Sequence, residues 1–322
     1  MQGKGDECMA SYVVRRILSG IFTVYFIATF TFFAMHAVPG DPLMQEKAVS
    51  PEIRANLKAH YGLDKPVMTQ YFIYMKNMLH GDFGISYSQS NRSVNTIIME
   101  HFPVSAELGI FALIIATVGG ILWGALAAVF RNRWPDSTIM FVVILCVSVP
   151  NFVFAAIGQY LVTELNKRTG MDILPVAGWG TFRQMILPSL VLGLGTLAFL
   201  TRLMRSSMLE IVGLDYIKTA KAKGVSSLRI FWSHQLRNAA MPVVSFLGPS
   251  IAAITTGGFV TETVFSIPGM GRYFVQAVQQ LDYTVIMGLT VFYGAFLVFM
   301  IILVDILYGL IDPRIKLQAS GA

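Results

Sequence analysis

The residue types that most often catalyse reactions or bind metals are sparse in this chain and are not grouped. Histidine and cysteine are scattered over the sequence, at Cys8, His36, His60, His80, His101, Cys146 and His234. None of the spacings typical of zinc proteases, dithiol redox centres, serine hydrolases or P-loop nucleotide-binding proteins occurs. The sequence therefore predicts a protein that is not an enzyme and that has no metal, nucleotide or other cofactor of its own.

Acidic residues that could relay protons through a membrane are equally few. Glu107 and Asp305 are the acids nearest to long apolar runs. Glu107 lies at the start of a predicted helix, where the helix dipole stabilises a carboxylate, and Asp305 lies close to the end of the last apolar run. Neither belongs to a pair typical of a proton relay, which argues against a proton-coupled mechanism.

Long apolar segments are the elements that must position these residues. The chain has 322 residues, of which 55% are hydrophobic and 13% charged, whereas a soluble domain has roughly 25% charged residues. A helix needs roughly 20 residues to cross the hydrocarbon core of a membrane. Apolar runs of about this length lie at 17–35, 108–130, 138–163, 185–201, 239–260 and 285–311. The predicted fold class is an all-α integral membrane protein with six transmembrane helices.

The placement of charges predicts which side of the membrane each connection faces. With the N-terminus inside, the cytoplasmic connections hold 14 of the 24 Lys and Arg residues, and such connections are enriched in these residues. Residues 1–16 and 312–322 are therefore predicted to be cytoplasmic tails. The net charge of +6 fits this topology together with binding to anionic membrane lipid, so no nucleic acid is expected as a partner.

A polar stretch follows the first predicted transmembrane helix, 17–38, and is predicted to be a small extracytoplasmic domain at 39–96. It opens with Pro-Gly-Asp-Pro at 39–42, through which a helix cannot continue. Helical spacing of apolar residues follows at 51–61 and at 67–79. A structural lid and a docking surface for an external partner are both compatible with these residues.

The connection at 202–238 is predicted to lie in the cytoplasm and to contain two helices. Asp215 is the predicted N-cap of the first, and Gly224 is placed to end it in a left-handed conformation. Ser226 or Ser227 is predicted to cap the second helix. One face of that second helix is apolar, with Leu228, Phe231, Trp232 and Leu236 at helical spacing. The second helix therefore fits a membrane surface or a partner protein.

The first helix of this connection favours a protein partner. Ile217, Ala220 and Gly224 fall on one face of small residues, which permits close approach of another surface. Binding to lipid alone would not require such a face. We expect the first helix to contact the partner and the second to hold it at the membrane.

Proline interrupts two of the apolar runs. Pro150 precedes Asn151 in the third run, and Gly248 precedes Pro249 in the fifth. Each proline removes a backbone hydrogen bond, which is tolerated at membrane depth where a neighbouring group or a water-filled cavity replaces it. Kinks beside a translocation path and kinks that serve helix packing are both compatible with the residues.

Motifs along nearly the whole chain resemble one protein family. The string at 215–242, DYIKTAKAKG followed by RNAAMP, is similar to the EAA loop of binding-protein-dependent ABC importer permeases. The oligopeptide and dipeptide permeases have the most similar form. Two positions depart from the general pattern, with Lys218 in place of a glutamate and Arg237 in place of a proline. Further strings that look like this subfamily lie at 15–16, 39–42, 61–66, 80–84, 102–106, 262–269 and 311–314.

This resemblance implies the type I ABC importer permease fold, with a permease core at 97–311, in the cytoplasmic (inner) membrane. The chain would pair with a second homologous permease subunit, two cytoplasmic ABC ATPase subunits and an extracytoplasmic peptide-binding protein. It would translocate oligopeptides by alternating access. Dipeptides, nickel or another small solute are alternative substrates, and ion-coupled secondary transport is the alternative mechanism.

The resemblance also implies two sets of site residues. The helix that couples to the ATPase is assigned to Asp215, Ile217, Lys218, Thr219, Ala220, Lys221, Ala222, Lys223 and Gly224. The outer gate is assigned to Glu262, Phe265, Ile267, Pro268 and Gly269, and the proline kinks add Pro150, Asn151, Gly248 and Pro249 as candidates for the translocation path. Within the second set, residues 267–270 fit a type II turn, with Pro268 in its second position and Gly269 in its third.

Overall fold

Long uncharged runs become long helices in this chain, because a helix satisfies its own backbone N–H and C=O groups where water is excluded. A computed structural model describes residues 3–39, 62–89, 92–256 and 258–311. Four of its helices are long and apolar enough to cross a membrane: Val14–Ala37, Val94–Val129, Phe182–Val212 and Tyr283–Val304. Four of the six predicted spans are thus confirmed as long apolar helices.

The third predicted span, 138–163, is not one helix. The chain forms Trp134–Ser148 and Asn151–Thr169, and the two helices meet at an angle of 110°. Val149 and Pro150 between them are extended, with ψ angles of 128° and 141°. Proline restricts the residue before it to extended backbone, so the helix stops there. The prediction of one kinked helix was therefore wrong, whereas a single crossing by the two helices stays a prediction.

The fifth predicted span, 239–260, is also shorter than predicted. Its helix is Met241–Thr256, with 16 residues, and a separate short helix follows at Phe259–Val264. Pro249 lies inside the longer helix. Predicted features at 40–61 and 312–322, including the helix at 51–61, lie outside the described residues, and so does the side chain of Asp305.

The chain divides into two compact units, of which the first comprises Met1–Val104 and Pro268–Ala322. Its described helices are α1 (Gly3–Ala37), α2 (Val67–Leu79), the first turns of α3 (Val94–Val129), α12 (Met270–Gln279) and α13 (Tyr283–Ile311). The core of this unit joins α1, α2 and α13 through Ala28, Phe32, Tyr71, Met75, Tyr283, Met287 and Val291. The helix predicted at 67–79 is confirmed, and its buried residues are Tyr71 and Met75.

A buried carboxylate ties the loop before α3 to the start of α13. Asp282 is fully buried, and its Oδ2 accepts hydrogen bonds from Ser86 Oγ at 2.5 Å and from Ser88 Oγ at 2.8 Å. Its Oδ1 accepts the backbone N–H of Val285 at 3.2 Å. Asp282 therefore caps the N-terminus of α13 and fixes this loop at the same time.

The second unit, Ser105–Ile267, contains the coupling segment and most of the predicted gate. Its helices after α3 are α4 (Trp134–Ser148), α5 (Asn151–Thr169), α6 (Phe182–Val212), α7 (Asp215–Ala222), α8 (Ser227–Arg229), a π-helix (Ile230–Leu236), α9 (Arg237–Ala239), α10 (Met241–Thr256) and α11 (Phe259–Val264). Helix α6 is the central element, because α4, α5, α10 and α11 all pack against it.

Glycines on α3 allow it to lie unusually close to α6. A Cβ atom added to Gly120 would lie 2.6 Å from Leu200 Cβ, and one added to Gly124 would lie 2.6 Å from both Met204 Cβ and Thr201 O. Such distances are well inside van der Waals contact, so these positions require glycine. The close contact continues into a core formed by Ala125, Ala128, Leu200, Met204, Met208, Ala239 and Val243.

Candidate functional site

The predicted coupling helix is present as α7, an eight-residue helix whose first residue is Asp215. The N-cap is Leu214, which is extended with ψ 147°, so the prediction that Asp215 is the N-cap was wrong by one position. The Asp215 carboxylate instead accepts a hydrogen bond from Lys218 Nζ at 2.8 Å. An acid in the first turn still interacts favourably with the helix dipole.

The C-terminus of α7 ends as the sequence predicts, in a left-handed glycine. Gly224 has φ +75°, and its N–H donates to Lys221 O at 3.0 Å. The N–H of Val225 donates to Ala220 O at 3.1 Å. This pair of bonds is the Schellman arrangement, which satisfies carbonyl groups that the end of a helix would otherwise leave without partners.

Burial divides α7 into an anchor and an exposed surface. Ile217 is fully buried, and α7 packs on the π-helix that follows it. Ala220 is half-buried, whereas Asp215, Lys218, Thr219, Lys221, Ala222, Lys223 and Gly224 are exposed. The predicted common face of Ile217, Ala220 and Gly224 is therefore divided, because Ile217 points into the chain whereas Gly224 is exposed.

A side-chain bond adds a second attachment for α7. Asn238 Nδ2 donates to the Tyr216 hydroxyl oxygen at 3.0 Å, which links α7 to α9. Lys218, Lys221 and Lys223 lie on the exposed side with Asp215, so the free surface is predominantly basic. The arrangement is a short rigid helix, held from one side and presented on the other.

The second predicted helix of this segment contains a seven-residue π-helix. Ser226 is its N-cap, as predicted, but residues Ile230–Leu236 follow the wider π spacing. Ile230 is buried, and Phe231 and Leu236 pack on the core beneath α6. Leu228 and Trp232 remain exposed at 71% and 56%. The predicted four-residue apolar face was therefore wrong, because the π-helix turns its members in different directions.

The gate residues of the second unit form a compact segment around α11. Glu262 is 2% exposed, and its Oε1 accepts the Ser105 hydroxyl at 2.7 Å. The backbone N–H of Ile267 donates to Glu262 O at 2.8 Å. Phe265 and Ile267 are both fully buried. These three predicted residues are thus brought together, and Ser105 is a partner of Glu262 that we did not predict.

Helix α5 and the loop after it hold this segment in place. Gln159 Nε2 donates to Val264 O at 3.2 Å and to Val176 O at 2.9 Å. The N–H of Gly178 donates to Phe265 O at 2.9 Å. The helix that begins at Asn151, directly after Pro150, therefore contacts the gate segment through Gln159, a residue that no sequence pattern singled out.

The turn after Ile267 differs from the predicted one. A type II turn requires a positive φ at its third residue, but Gly269 has φ −89° and ψ 169° and is the N-cap of α12. The residue with positive φ is Ser266, at +55°. In the first unit, Pro268 O accepts a hydrogen bond from His101 Nδ1 at 2.8 Å. The type II turn was therefore wrong, because the start of α12 sets the backbone of Gly269.

The remaining predicted path residues lie apart from the gate segment in the sequence. Gly248 and Pro249 are inside α10, where Gly248 is buried and Pro249 is exposed. Helix α10 packs along α6, and Phe246 stacks on Phe199 with ring centroids 4.1 Å apart. No group of three His, Cys, Asp or Glu side chains suited to a metal occurs within the described part of the chain.

The chain matches two family models of membrane transport proteins. Residues 120–317 match the family described as binding-protein-dependent transport system inner membrane component. Residues 9–109 match the family described as the N-terminal part of such a membrane component. The chain belongs to this permease family. It is therefore a multi-pass membrane permease, as its apolar helices also indicate.

Individual permeases of peptide transport systems are similar over almost their full length. The dipeptide transport system permease protein DppB of Bacillus subtilis is 44% identical over 315 residues, which cover 97% of this chain and 100% of the relative. The oligopeptide transport system permease proteins OppB of Haemophilus influenzae and Escherichia coli K12 are 42% and 38% identical, with 96% and 100% coverage. This permease thus resembles both oligopeptide and dipeptide relatives.

Proposed function

We propose that this permease is the membrane subunit of an ATP-driven importer that moves short peptides, oligopeptides above all, across the cytoplasmic membrane by alternating access. The observation that supports this most directly is the similarity, over at least 96% of the chain, to permeases named for oligopeptide and dipeptide transport. ATP hydrolysis is assigned to separate subunits, because the sequence has no P-loop motif.

The exposed surface of α7 is proposed as the contact with one of two cytoplasmic ATPase subunits. Ile217 and Tyr216 attach this helix to its own chain, while Lys218, Thr219, Lys221 and the residues up to Gly224 stay available. A rigid helix of this kind transmits movement, because a partner that displaces it also displaces the helices attached to it. A second homologous permease would complete the channel and present the equivalent helix to the other ATPase.

Residues around α11 are proposed as part of the outer gate. Phe265 and Ile267 are fully buried, and Glu262 is held by Ser105. A buried, hydrogen-bonded segment closes a path when it is seated, and opening it requires these contacts to separate. Pro150, Asn151, Gly248 and Pro249 are proposed to give the adjoining helices the irregular backbone of a translocation path.

We further propose six membrane crossings with both termini in the cytoplasm. This requires the α4 and α5 pair to count as one crossing and Met241–Thr256 as another. The segment at 39–96 then lies outside, where it adjoins the extracytoplasmic peptide-binding protein. The basic residues of 202–238 lie inside, in agreement with the positive-inside rule.

The test is reconstitution of transport with all its proposed components. The permease is co-purified with a second permease and two ATPases encoded beside it, placed in liposomes with the binding protein outside, and supplied with ATP on the opposite side. Uptake of a labelled oligopeptide is expected to require both ATP and the binding protein. A set of peptides of two to seven residues, with nickel as a comparison, then defines the substrate class.

Two results would contradict this function. Peptide uptake driven by a proton or sodium gradient without ATP would support the secondary-transporter alternative. ATP-dependent uptake of nickel, with none of any peptide, would retain the importer and refute its substrate. A liposome preparation in which the ATPase is replaced by a Walker-lysine variant is the control for leakage.

A further inference from the structure

A buried ion pair joins α4 to α6 in the second unit, on the helix that precedes the coupling helix in the sequence. Arg205 Nε donates to Asp136 Oδ1 at 2.7 Å, and Arg205 Nη2 donates to Asp136 Oδ2 at 2.8 Å. The Asp136 side chain is 6% exposed and that of Arg205 is 25% exposed. The contact is bidentate, which fixes the orientation of both side chains as well as their separation.

The connection before α4 is shaped around the same carboxylate. Asn132 has φ +60°, a conformation that asparagine tolerates better than most residues. Its backbone N–H donates to Asp136 Oδ2 at 3.0 Å. Asp136 therefore receives three directed hydrogen bonds and is held from two sides.

Packing continues from this pair along the two helices. Val143 and Cys146 of α4 form a core with Ala198 of α6. Residue numbers rise along α4 as they fall along α6, so the two helices are antiparallel and the ion pair locks one end of their contact. That end is the one from which the chain continues to α7, because Asp215 follows Arg205 by ten positions.

The other end of α4 leads toward the gate segment. Helix α4 stops at Ser148, and α5 starts after Pro150 and carries Gln159, which donates to Val264 O. One continuous chain of contacts in this unit thus runs from α7 through Arg205 and Asp136 to the segment of Glu262 and Phe265. Its steps are a hydrogen bond, an ion pair, helices and the two short connections at 149–150 and 213–214.

We propose that the Asp136–Arg205 pair is a positioning pair for coupling, which makes α4 and α5 move with α6 when the ATPase displaces α7. This inference rests on the proposed function and assigns to it two residues outside the coupling helix and the gate. Stability alone does not account for such a pair, because replacing a buried ion pair by apolar residues of similar volume often leaves stability unchanged or higher. A directed bond between two helices is what the pair adds.

The experiment uses the reconstituted complex and measures peptide imported per ATP hydrolysed. Asp136→Asn and Arg205→Gln are each expected to lower this ratio roughly fivefold or more, the lower end of a typical coupling free energy. The double variant should be no worse than the poorer single variant, since residues that act through one contact are not additive. ATP hydrolysis should continue in all three, so that uptake falls more than hydrolysis does.

A matched control is available in the same unit. Glu164 pairs with Lys167 at 3.3 Å on the surface, where the Lys167 side chain is 69% exposed. Glu164→Gln should leave the ratio unchanged, because an exposed ion pair contributes little. Arg205→Lys is the second variant, because a lysine still neutralises the Asp136 carboxylate and should allow the complex to assemble. Lysine cannot form the bidentate contact that arginine makes. It should lower the ratio by less than Arg205→Gln.

The possible outcomes distinguish a failure of the proposed importer function from a failure of the proposed role of the Asp136–Arg205 pair. A wild-type complex without ATP-driven uptake would refute the proposed function. Wild-type uptake together with an unchanged ratio in Asp136→Asn, or multiplied losses in the double variant, would refute the positioning pair alone. If the neutral variants do not assemble, as judged by co-purification of the ATPases, Arg205→Lys decides the matter: an unchanged ratio refutes the proposal.

Discussion

Gly224 and Ile217 restrict the coupling helix α7 in two different ways, through backbone conformation and through burial. Gly224 lies in a left-handed conformation with φ +75°, and a Cβ atom added there would meet no other atom within 4 Å. Backbone conformation, and not space, is therefore what restricts this position to glycine or asparagine. At Ile217 it is space that restricts the residue, because the side chain is fully buried.

Substitution of Gly224 should uncouple transport from ATP hydrolysis to a degree that depends on how well the new residue tolerates the left-handed conformation. Gly224→Val introduces about 1–3 kcal/mol of strain, which the end of α7 can relieve only by unwinding. We expect peptide uptake to fall roughly fivefold or more, the factor that corresponds to about 1 kcal/mol. Gly224→Asn should retain most uptake, because asparagine tolerates this conformation. Peptide uptake by the reconstituted complex, in total and per ATP hydrolysed, is the measurement.

A second glycine provides the control for this experiment. Gly170 ends α5 with φ +69° and is equally open, but it is remote from α7 in the sequence. Gly170→Val should introduce comparable strain without the same loss of ATPase coupling. Equal loss of peptide per ATP in Gly170→Val and Gly224→Val would show that the effect is general destabilisation.

Helix α6 is the helix on which most other helices of the second unit pack, and its contact with α3 depends on small residues. Gly120 and Gly124 let the backbones approach, since a Cβ atom at either position would overlap Leu200, Thr201 or Met204. Small residues serve this purpose between membrane helices generally, because van der Waals packing stabilises helix pairs there. The contact positions the end of α6 from which α7 begins.

Enlarging Gly124 should therefore destabilise the permease. Gly124→Ala forces a contact of 2.6 Å to relax, and overpacking of this kind costs about 1–3 kcal/mol. We expect a lower midpoint of thermal unfolding for the detergent-solubilised protein. Gly195→Ala is the control on α6, because a Cβ there meets nothing within 4 Å. Equal midpoints for the two variants would refute the close helix contact.

Sequence patterns predicted the helices well where an apolar run or a helical spacing continues over the whole segment. Long apolar runs predicted four of the long helices, and helical spacing predicted α2 with its observed bounds, Val67–Leu79. The bend at Pro150 was predicted only as a kink, because proline marks where a helix stops and packing decides the angle that follows. The π-helix at Ile230–Leu236 could not be predicted, since apolar residues at a period of 3.6 indicate an α-helix.

The site was predicted at the level of segments more than of contacts. Gly224 and the existence of α7 followed from local chemistry, because left-handed backbone and capping are local properties. Ser105, Gln159 and the Asp136–Arg205 pair were missed, since each bonds to a residue far away in sequence. A single sequence contains no signal for such distant partners when each residue is unremarkable in its own segment.

The proposed topology is a property of the whole molecule, and the α4 and α5 pair determines it. If this pair crosses the membrane once, Arg133 before it and Thr169 at its end lie on opposite sides. If the pair instead re-enters, both lie on the same side and every later connection changes sides. The distribution of Lys and Arg favours a single crossing.

Cysteine labelling in intact cells tests this topology. Arg133→Cys and Thr169→Cys are made separately in a background with Cys8 and Cys146 replaced by serine, and both target positions are exposed. A membrane-impermeant thiol reagent should label the Thr169→Cys protein directly. It should label the Arg133→Cys protein only after the membrane is permeabilised. Labelling of both proteins only after permeabilisation, or of both from outside, would refute a single crossing.

The capped C-terminus of α7 has a consequence for how a partner would bind this helix. Isolated helices of eight residues are marginal in water, yet this one has its last carbonyls bonded through Gly224 and Val225 and its side anchored by Ile217. The helix is therefore preorganised, and association with a partner does not have to supply the conformational entropy of folding it. Displacement of the partner can then pass into α6 at once, without an intervening step of local ordering.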